Sequence, residues 1–223
     1  MTDTIAIIDY GSGNIRSAAK AFEHVIAREK INTKVLVTNQ AEDVLSASRI
    51  VLPGQGAFGD CMSGLQAVEG MVQALKESVL QKGTPFLGIC VGMQLLADKG
   101  LEHGTHAGLG WIPGSVIPMQ PTDSSIKIPH MGWNDTRITD AGADHSVLRS
   151  ITKSSSQTAT SFYFVHSFMF ECEDQDHCMA TTNYGGNVTA IVGRENILGV
   201  QFHPEKSQKD GLDLIKKFTL WTP

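Results

Sequence analysis

Cys90 stands in the string Gly88-Ile89-Cys90-Val91-Gly92, with Pro85-Phe86-Leu87 before it and Met93-Gln94-Leu95-Leu96-Ala97 after it. An apolar run of strand length that enters a Gly-x-Cys-x-Gly turn and leaves as a helix is the layout of a nucleophile elbow, here with sulfur as the attacking atom. Glycines on either side of the nucleophile allow a turn too sharp for side chains. At the N-terminus of the departing helix, a thiolate gains from the aligned peptide dipoles. A lone cysteine between glycines is more often a small buried packing residue. The strand–turn–helix context makes Cys90 the candidate nucleophile.

A thiol nucleophile needs a base, and the base needs a group that orients it. His203-Pro204-Glu205 follows the apolar run Ile197-Leu198-Gly199-Val200, at the end of what reads as the last strand. In extended backbone, residues two apart share a face, and Pro204 favours that geometry at His203. Glu205 can then accept a hydrogen bond from one imidazole nitrogen and hold the other towards the thiol. A surface salt bridge is the plain alternative for a His-x-Glu pair. A zinc-deaminase use of that pair requires a later Pro-Cys-x-x-Cys, and no cysteine follows His203. The remaining histidines form no pair at metal-ligand spacing backed by cysteines, so neither a metal nor another cofactor is expected. Acyl transfer also needs donors for an oxyanion, each worth roughly 10²–10³ in rate. The Val91 backbone N–H is the natural first donor. A second is available from the loop Gly54-Gln55-Gly56, although a plain turn explains that loop equally well when it is taken alone. Together these groups equip an amide or ester hydrolase that works through a thioester.

Positioning such groups calls for strands that end at one edge of a sheet. Residues 5–8, 34–37, 49–52 and 85–89 are short apolar runs, the third halting at Pro53. Between them Ile15, Ala18, Ala19, Phe22 and Ile26, and then Met62, Leu65, Val68, Val72, Leu75 and Val79, recur at helical spacing, the latter as one long helix closed by Gly83. Strands alternating with helices predict an open, mostly parallel, doubly wound α/β sheet. Gly11-Ser12-Gly13 after the first strand fails as a dinucleotide fingerprint, because Arg16 stands where the third glycine belongs. In the second half, residues 115–119, 162–165, 179–183, 188–192 and 197–202 read as strands, with Tyr184-Gly185-Gly186-Asn187 as a hairpin turn and an added antiparallel portion. Residues 128–134 look irregular, 152–160 look like a polar surface loop, and Leu212, Ile215 and Phe218 mark a closing helix.

A chain of 223 residues with 41% hydrophobic and 18% charged residues suits one domain, residues 1–223, with no repeat or linker to suggest a second. Net charge of −5 with scattered Lys and Arg argues against nucleic acid or an anionic membrane as partner. No basic leader precedes the first strand, no apolar run reaches membrane-spanning length, and the four cysteines lack C-x-x-C spacing. A reducing cytoplasm with free thiols is the expected setting.

With these pieces placed, the chain resembles the class I (triad) glutamine amidotransferases over nearly its whole length. Pro53-Gly54-Gln55-Gly56, Gly88-Ile89-Cys90-Val91-Gly92-Met93-Gln94 and His203-Pro204-Glu205 match that family's oxyanion, nucleophile and His-Glu motifs in order. The closer similarity is to the glutaminase subunits of imidazole glycerol phosphate synthases, carried by residues 9–14, by Pro129-His130-Met131-Gly132-Trp133-Asn134, by Tyr163-Phe164-Val165-His166-Ser167-Phe168, and by Lys206-Ser207. The resemblance implies a flavodoxin-like glutamine amidotransferase fold in which Cys90 attacks the side-chain amide of L-glutamine. Ammonia would then pass to a (β/α)8-barrel cyclase partner that makes imidazole glycerol phosphate and an aminoimidazole carboxamide ribonucleotide. By motif position, Gln94 and Glu102 hold glutamine and His166, Ser167 and Phe168 line its site. Asn14, Trp133 and Lys206 face the partner near a channel mouth, and for Trp133 the plain alternative is a core aromatic. A glutaminase feeding another acceptor, such as a surface-sugar amidation system, shares most of these motifs. His203-Pro204-Glu205 in extended spacing and Gln94 argue against a free-standing thiol hydrolase, and the complete Cys90, His203 and Glu205 set argues against a non-catalytic regulatory domain. Residues 118–128 and 152–160 look longer than a compact member needs. Cys172 and Cys178 match no family motif, so a structural role is expected for them.

Overall fold

The computed structural model describes residues 2–123, 125–149 and 160–223, so the polar loop expected at 152–160 lies, Thr160 apart, outside the described residues. In chain order the strands are β1 (Asp3–Ile8), β2 (Thr33–Thr38), β3 (Arg49–Gly54), β4 (Phe86–Cys90), β5 (Lys99–Gly100), β6 (His106–Ala107), β7 (Gly114–Pro118), β8 (His130–Ile138), β9 (Thr160–His166), β10 (Phe168–Cys172), β11 (Cys178–Asn183), β12 (Asn187–Arg194) and β13 (Ile197–Val200). The helices are α1 (Ile15–Glu29), α2 (Ala41–Ser46), α3 (Phe58–Ala67), α4 (Met71–Lys76), α5 (Val91–Gln94), α6 (Asp140–Ala143) and α7 (Gln208–Leu220).

Among the described residues the main sheet runs β2-β1-β3-β4-β13-β12-β11-β8-β9. The first five strands are parallel, and every pairing from β13 to β9 is antiparallel. The parallel half has the strand order of flavodoxin-like sheets, as expected. Its inner strands carry unbroken apolar runs because helices cover both faces, whereas the edge strand β2 is partly exposed. Residues 5–8 and 50–52 and all of β4 are buried. Helix α1 turns Ala18, Ala19, Phe22 and Val25 inwards, and Phe22 meets Phe218 of α7 edge-on at 6.2 Å. Full burial of each such phenylalanine contributes roughly 1.5–3 kcal/mol. A smaller sheet, β10-β7-β5-β6, stands beside the main one. No helix among the described residues is long and apolar enough to cross a membrane.

Four expectations are corrected. Strand β3 continues through Pro53 to Gly54, because Pro53 and Gly54 still pair with Ile89 and Cys90. The long helix expected over 62–79 is broken between α3 and α4, where Val68 is extended and Gly70 takes φ +71°, a conformation that ends helical hydrogen bonding. The helix after Cys90 is one turn only. The carbonyls of Leu95, Leu96 and Ala97 accept instead from the amides of residues 109–112, at 2.8–3.0 Å. Finally, residues 130–134 are regular strand, not irregular. β8 pairs in register with β9, His130 opposite His166 and Trp133 opposite Tyr163. Its inward positions hold His130, Asn134 and Thr136, with an apolar side chain only at Ile138, so no apolar period announces it.

Candidate active site

Register brings the chemistry together. Gly54 of β3 lies opposite Cys90, and Val200 of β13 lies opposite Ile89, so three parallel strands end at one edge with His203 just beyond β13. Cys90 itself has φ +55° and ψ −115°, a strained backbone for a residue with a β-carbon and the mark of an elbow. Because α5 has only four residues, little macrodipole acts on the sulfur. The charge partner is the imidazole.

His203 Nδ1 lies 2.9 Å from Glu205 Oε1, and both side chains are almost wholly buried. The sharing of a face arises differently from expectation. His203 is extended, but Pro204–Lys206 forms a 3₁₀ turn that folds Glu205 back under the ring. Burial by itself disfavours the imidazolium; contact with the Cys90 sulfur and the Glu205 carboxylate outweighs it and raises the His203 pKa to about 9. His203 therefore holds its proton through neutral pH. Since the folded pKa lies above the unfolded value of roughly 6.5, this pair stabilises the fold fully below that pH and progressively less as pH rises towards 9. Cys90→Ala removes the sulfur's share, so the His203 pKa should fall in that variant. NMR titration of the imidazole checks the direction.

A cavity of about 300 Å³ opens on this edge. Cys90, Val91, Gln94, Glu102, His203 and Lys206 line it, together with Gln55 and Gly56 from the loop after β3 and His166, Ser167 and Phe168 between β9 and β10. Glu205 lies behind His203, outside the lining. Glu102 also accepts from the Phe58 N–H at 2.8 Å, supplying α3 with the N-terminal acceptor that its own cap residue lacks. Besides Glu205, three predicted residues are not in the cavity wall. Gly54 is buried beneath it against Gly92 and Val91. Asn14 precedes α1. Trp133 is 50% exposed and meets Tyr163 edge-on at 6.1 Å, which rules out the core-aromatic alternative.

In the loop after β3, the Gln55 N–H donates to Ser12 Oγ at 3.2 Å, and Ser12 Oγ donates to the Gln55 carbonyl at 2.5 Å. Cys61 Sγ donates to the same carbonyl at 3.3 Å. The Gln55 amide is thus engaged away from an incoming oxyanion in this conformation, and its use as a donor requires the peptide to turn.

Sequence reasoning assigned no role to Gln201, Tyr163 or Ser207. Gln201 is fully buried, with Nε2 3.8 Å from Cys90 Sγ and Oε1 accepting from Gln94 Nε2 at 3.0 Å. One amide inside the apolar run 197–202 is the signal that could have revealed it. The His203 N–H donates to the Tyr163 carbonyl at 2.9 Å, while Ser207 Oγ donates to the His203 carbonyl at 2.7 Å and accepts from the Tyr163 N–H at 3.0 Å. That tie between β9 and the His203 loop needs tertiary structure to be seen.

All four cysteines are free and buried, and Cys178 Sγ interacts with the Cys172 thiol and makes long contacts to the Ala180 carbonyl at 3.8 Å and Thr189 Oγ1 at 4.0 Å.

Sheet and site together define an α/β protein of the cysteine-elbow type, equipped for acyl transfer through a thioester. The sequence model of the family described as glutamine amidotransferase class-I matches residues 6–220, and the chain belongs to that family. It is 51% identical over 222 residues to the imidazole glycerol phosphate synthase subunit HisH of Zymomonas mobilis, covering 100% of this chain and 98% of that one. It is 52% identical over 220 residues to the HisH subunit of Rhodospirillum rubrum, covering 98% and 99%. A crystal structure of a glutamine amidotransferase superimposes with a TM-score of 0.66 at 15% identity, over 96% of this chain and 97% of the other. The crystal structure of a glutamine amidotransferase from Thermotoga maritima gives 0.64 at 16%, over 98% and 83%. These two show a shared fold.

Proposed function

We infer that the chain is the glutaminase subunit of an imidazole glycerol phosphate synthase, hydrolysing L-glutamine to glutamate and ammonia for histidine biosynthesis. The observation that carries this is identity of 51% and 52% to HisH subunits along the whole chain. The Cys90 sulfur and His203 imidazole in the cavity wall, with the Glu205 carboxylate behind the ring, support it.

Cys90 attacks the amide carbon of glutamine as the thiolate, and charge moves to the amide oxygen, where the Val91 N–H and one amide of the Gly54-Gln55-Gly56 loop are the intended donors. As the tetrahedral intermediate collapses, His203 gives its proton to the leaving nitrogen, ammonia departs and a glutamyl thioester remains. Water then adds to the thioester while His203 takes its proton, and glutamate leaves as the Cys90 thiolate reforms. Glu205 holds His203 in orientation throughout. Gln94, Glu102 and residues 166–168 bind glutamine. Asn14, Trp133 and Lys206 face a (β/α)8-barrel cyclase partner that consumes the ammonia. Residues 1–223 act as one amidotransferase domain, and four free buried thiols suit the cytoplasm.

The test is glutamate release by the purified chain, alone and with the barrel cyclase loaded with its nucleotide substrate. Strong stimulation by the loaded cyclase is the expected result. Equal rates in both conditions would keep the glutaminase chemistry and assign the ammonia to another acceptor, as in the surface-sugar alternative.

A further inference from the structure

The inward face of β8 carries a hydrogen-bond chain that ends in the cavity wall, and the direction of each bond can be deduced. His166 Nδ1 lies 2.8 Å from the Phe168 carbonyl, which can only accept, so His166 is protonated on Nδ1. Burial lowers the His166 pKa to about 4, leaving the ring neutral and Nε2 an acceptor. His130 Nδ1, 3.0 Å from that Nε2, must then donate. Burial, then the neighbouring His166, likewise lowers the His130 pKa to about 4, so its Nε2 is bare and accepts from Asn134 Nδ2 at 3.1 Å. The Asn134 amide is oriented independently: Nδ2 also donates to the Asn183 carbonyl at 3.0 Å, and Oδ1 accepts from the Asp135 N–H at 2.8 Å. The His130 ring is stacked on both sides, on Tyr184 at 3.9 Å and on Phe164 at 4.6 Å. At the far end the Phe168 carbonyl also accepts from Gln94 Nε2 at 3.3 Å, which joins the chain to Gln201 and through it to the Cys90 sulfur.

We propose that His130, which does not line the cavity, is a positioning residue for the glutamine subsite, acting through His166 to set the wall at residues 166–168, with Asn134 fixing the tautomer of His130. A neutral histidine pair bonded in one direction holds a carbonyl in one place, because reversing any link leaves a buried nitrogen without its partner. The outward side of the same strand carries the exposed Met131 and Trp133. The proposal rests on the reading that the cavity takes glutamine.

Three variants and one spectrum test it. His130→Phe keeps the aromatic stack and removes both hydrogen bonds. His130→Asn restores an N–H near the position of Nδ1. Asn134→Leu acts from outside the cavity altogether. Leaving a buried acceptor unpaired should raise the glutamine KM about tenfold in His130→Phe, with a smaller change in kcat, and His130→Asn should recover part of the loss. NMR of the imidazole nitrogens should show both rings with the proton on Nδ1 in the unmodified protein. An unchanged KM in folded His130→Phe or Asn134→Leu, or a proton on Nε2 of either ring in the unmodified protein, overturns the proposal. An unmodified protein that hydrolyses no glutamine would overturn the substrate reading instead, and the tautomer spectra would still decide the relay.

Discussion

Replacing Cys90 with alanine is expected to lower glutamine hydrolysis by roughly 10⁴ or more, because the thioester cannot form and the remaining groups only bind and polarise the amide. The fold should survive. Cys90 is buried but small, alanine keeps the β-carbon already accommodated at φ +55°, and Gln201 Nε2 loses only a long contact of 3.8 Å. His203→Ala should approach the same loss, since it removes the group that returns the proton to the leaving nitrogen. Glu205→Gln should cost less, because a glutamine oxygen can still accept from His203 Nδ1 and keep the ring oriented. Glutamate release measures the first effect and thermal unfolding the second. Hydrolysis retained in folded Cys90→Ala would remove Cys90 from the role of nucleophile.

The largest expected loss of stability is at Gly92, four residues beyond Gly88 in the elbow. A β-carbon there would stand 1.8 Å from the Leu52 carbonyl oxygen and 2.9 Å from its carbon. Both are backbone atoms in the fully buried centre of β3, so no side chain can swing away. Either the elbow lifts off β3 or β3 moves, and either shift breaks the pairing of Gly54 with Cys90. Gly92→Ala should destabilise the protein by about 3 kcal/mol or more, at the upper end of overpacking effects, or prevent folding. Gly83→Ala is the control. Its φ is +70° with nothing within 4 Å of the added carbon, so only conformational strain of about 1–2 kcal/mol is expected. Urea unfolding of the two variants compares them directly. Equal midpoints would refute the account of why the elbow needs glycine.

The elbow and the histidine–glutamate pair are visible in the sequence because their chemistry is local. Two glycines around Cys90 permit the sharp turn, and a proline between His203 and Glu205 restricts the backbone at His203, whatever surrounds them. The buried parallel strands are visible for a related reason. Covered on both faces, they must be apolar at every position, as residues 5–8 and 50–52 are. From these came the expected α/β sheet with its cysteine at a strand end.

Where structure depends on distant neighbours, sequence was silent or misleading. The helical pattern of Leu95, Leu96 and Ala97 is overridden by amides of residues 109–112, and the helical period over 62–79 does not reveal the break at Gly70. Strand β8 is hidden because its inward face is largely polar, and His130 and Asn134 on that face find partners on β9 and β11. Trp133 has a core-type side chain on an exposed face, and Gln201 has a polar one in the core. Both assignments depend on what packs opposite. The amino-acid sequence alone determined which atoms can attack, accept and orient. Tertiary structure decided which neighbours hold them, because a hydrogen bond such as His130 to His166 joins residues 36 apart, and no local pattern encodes that distance.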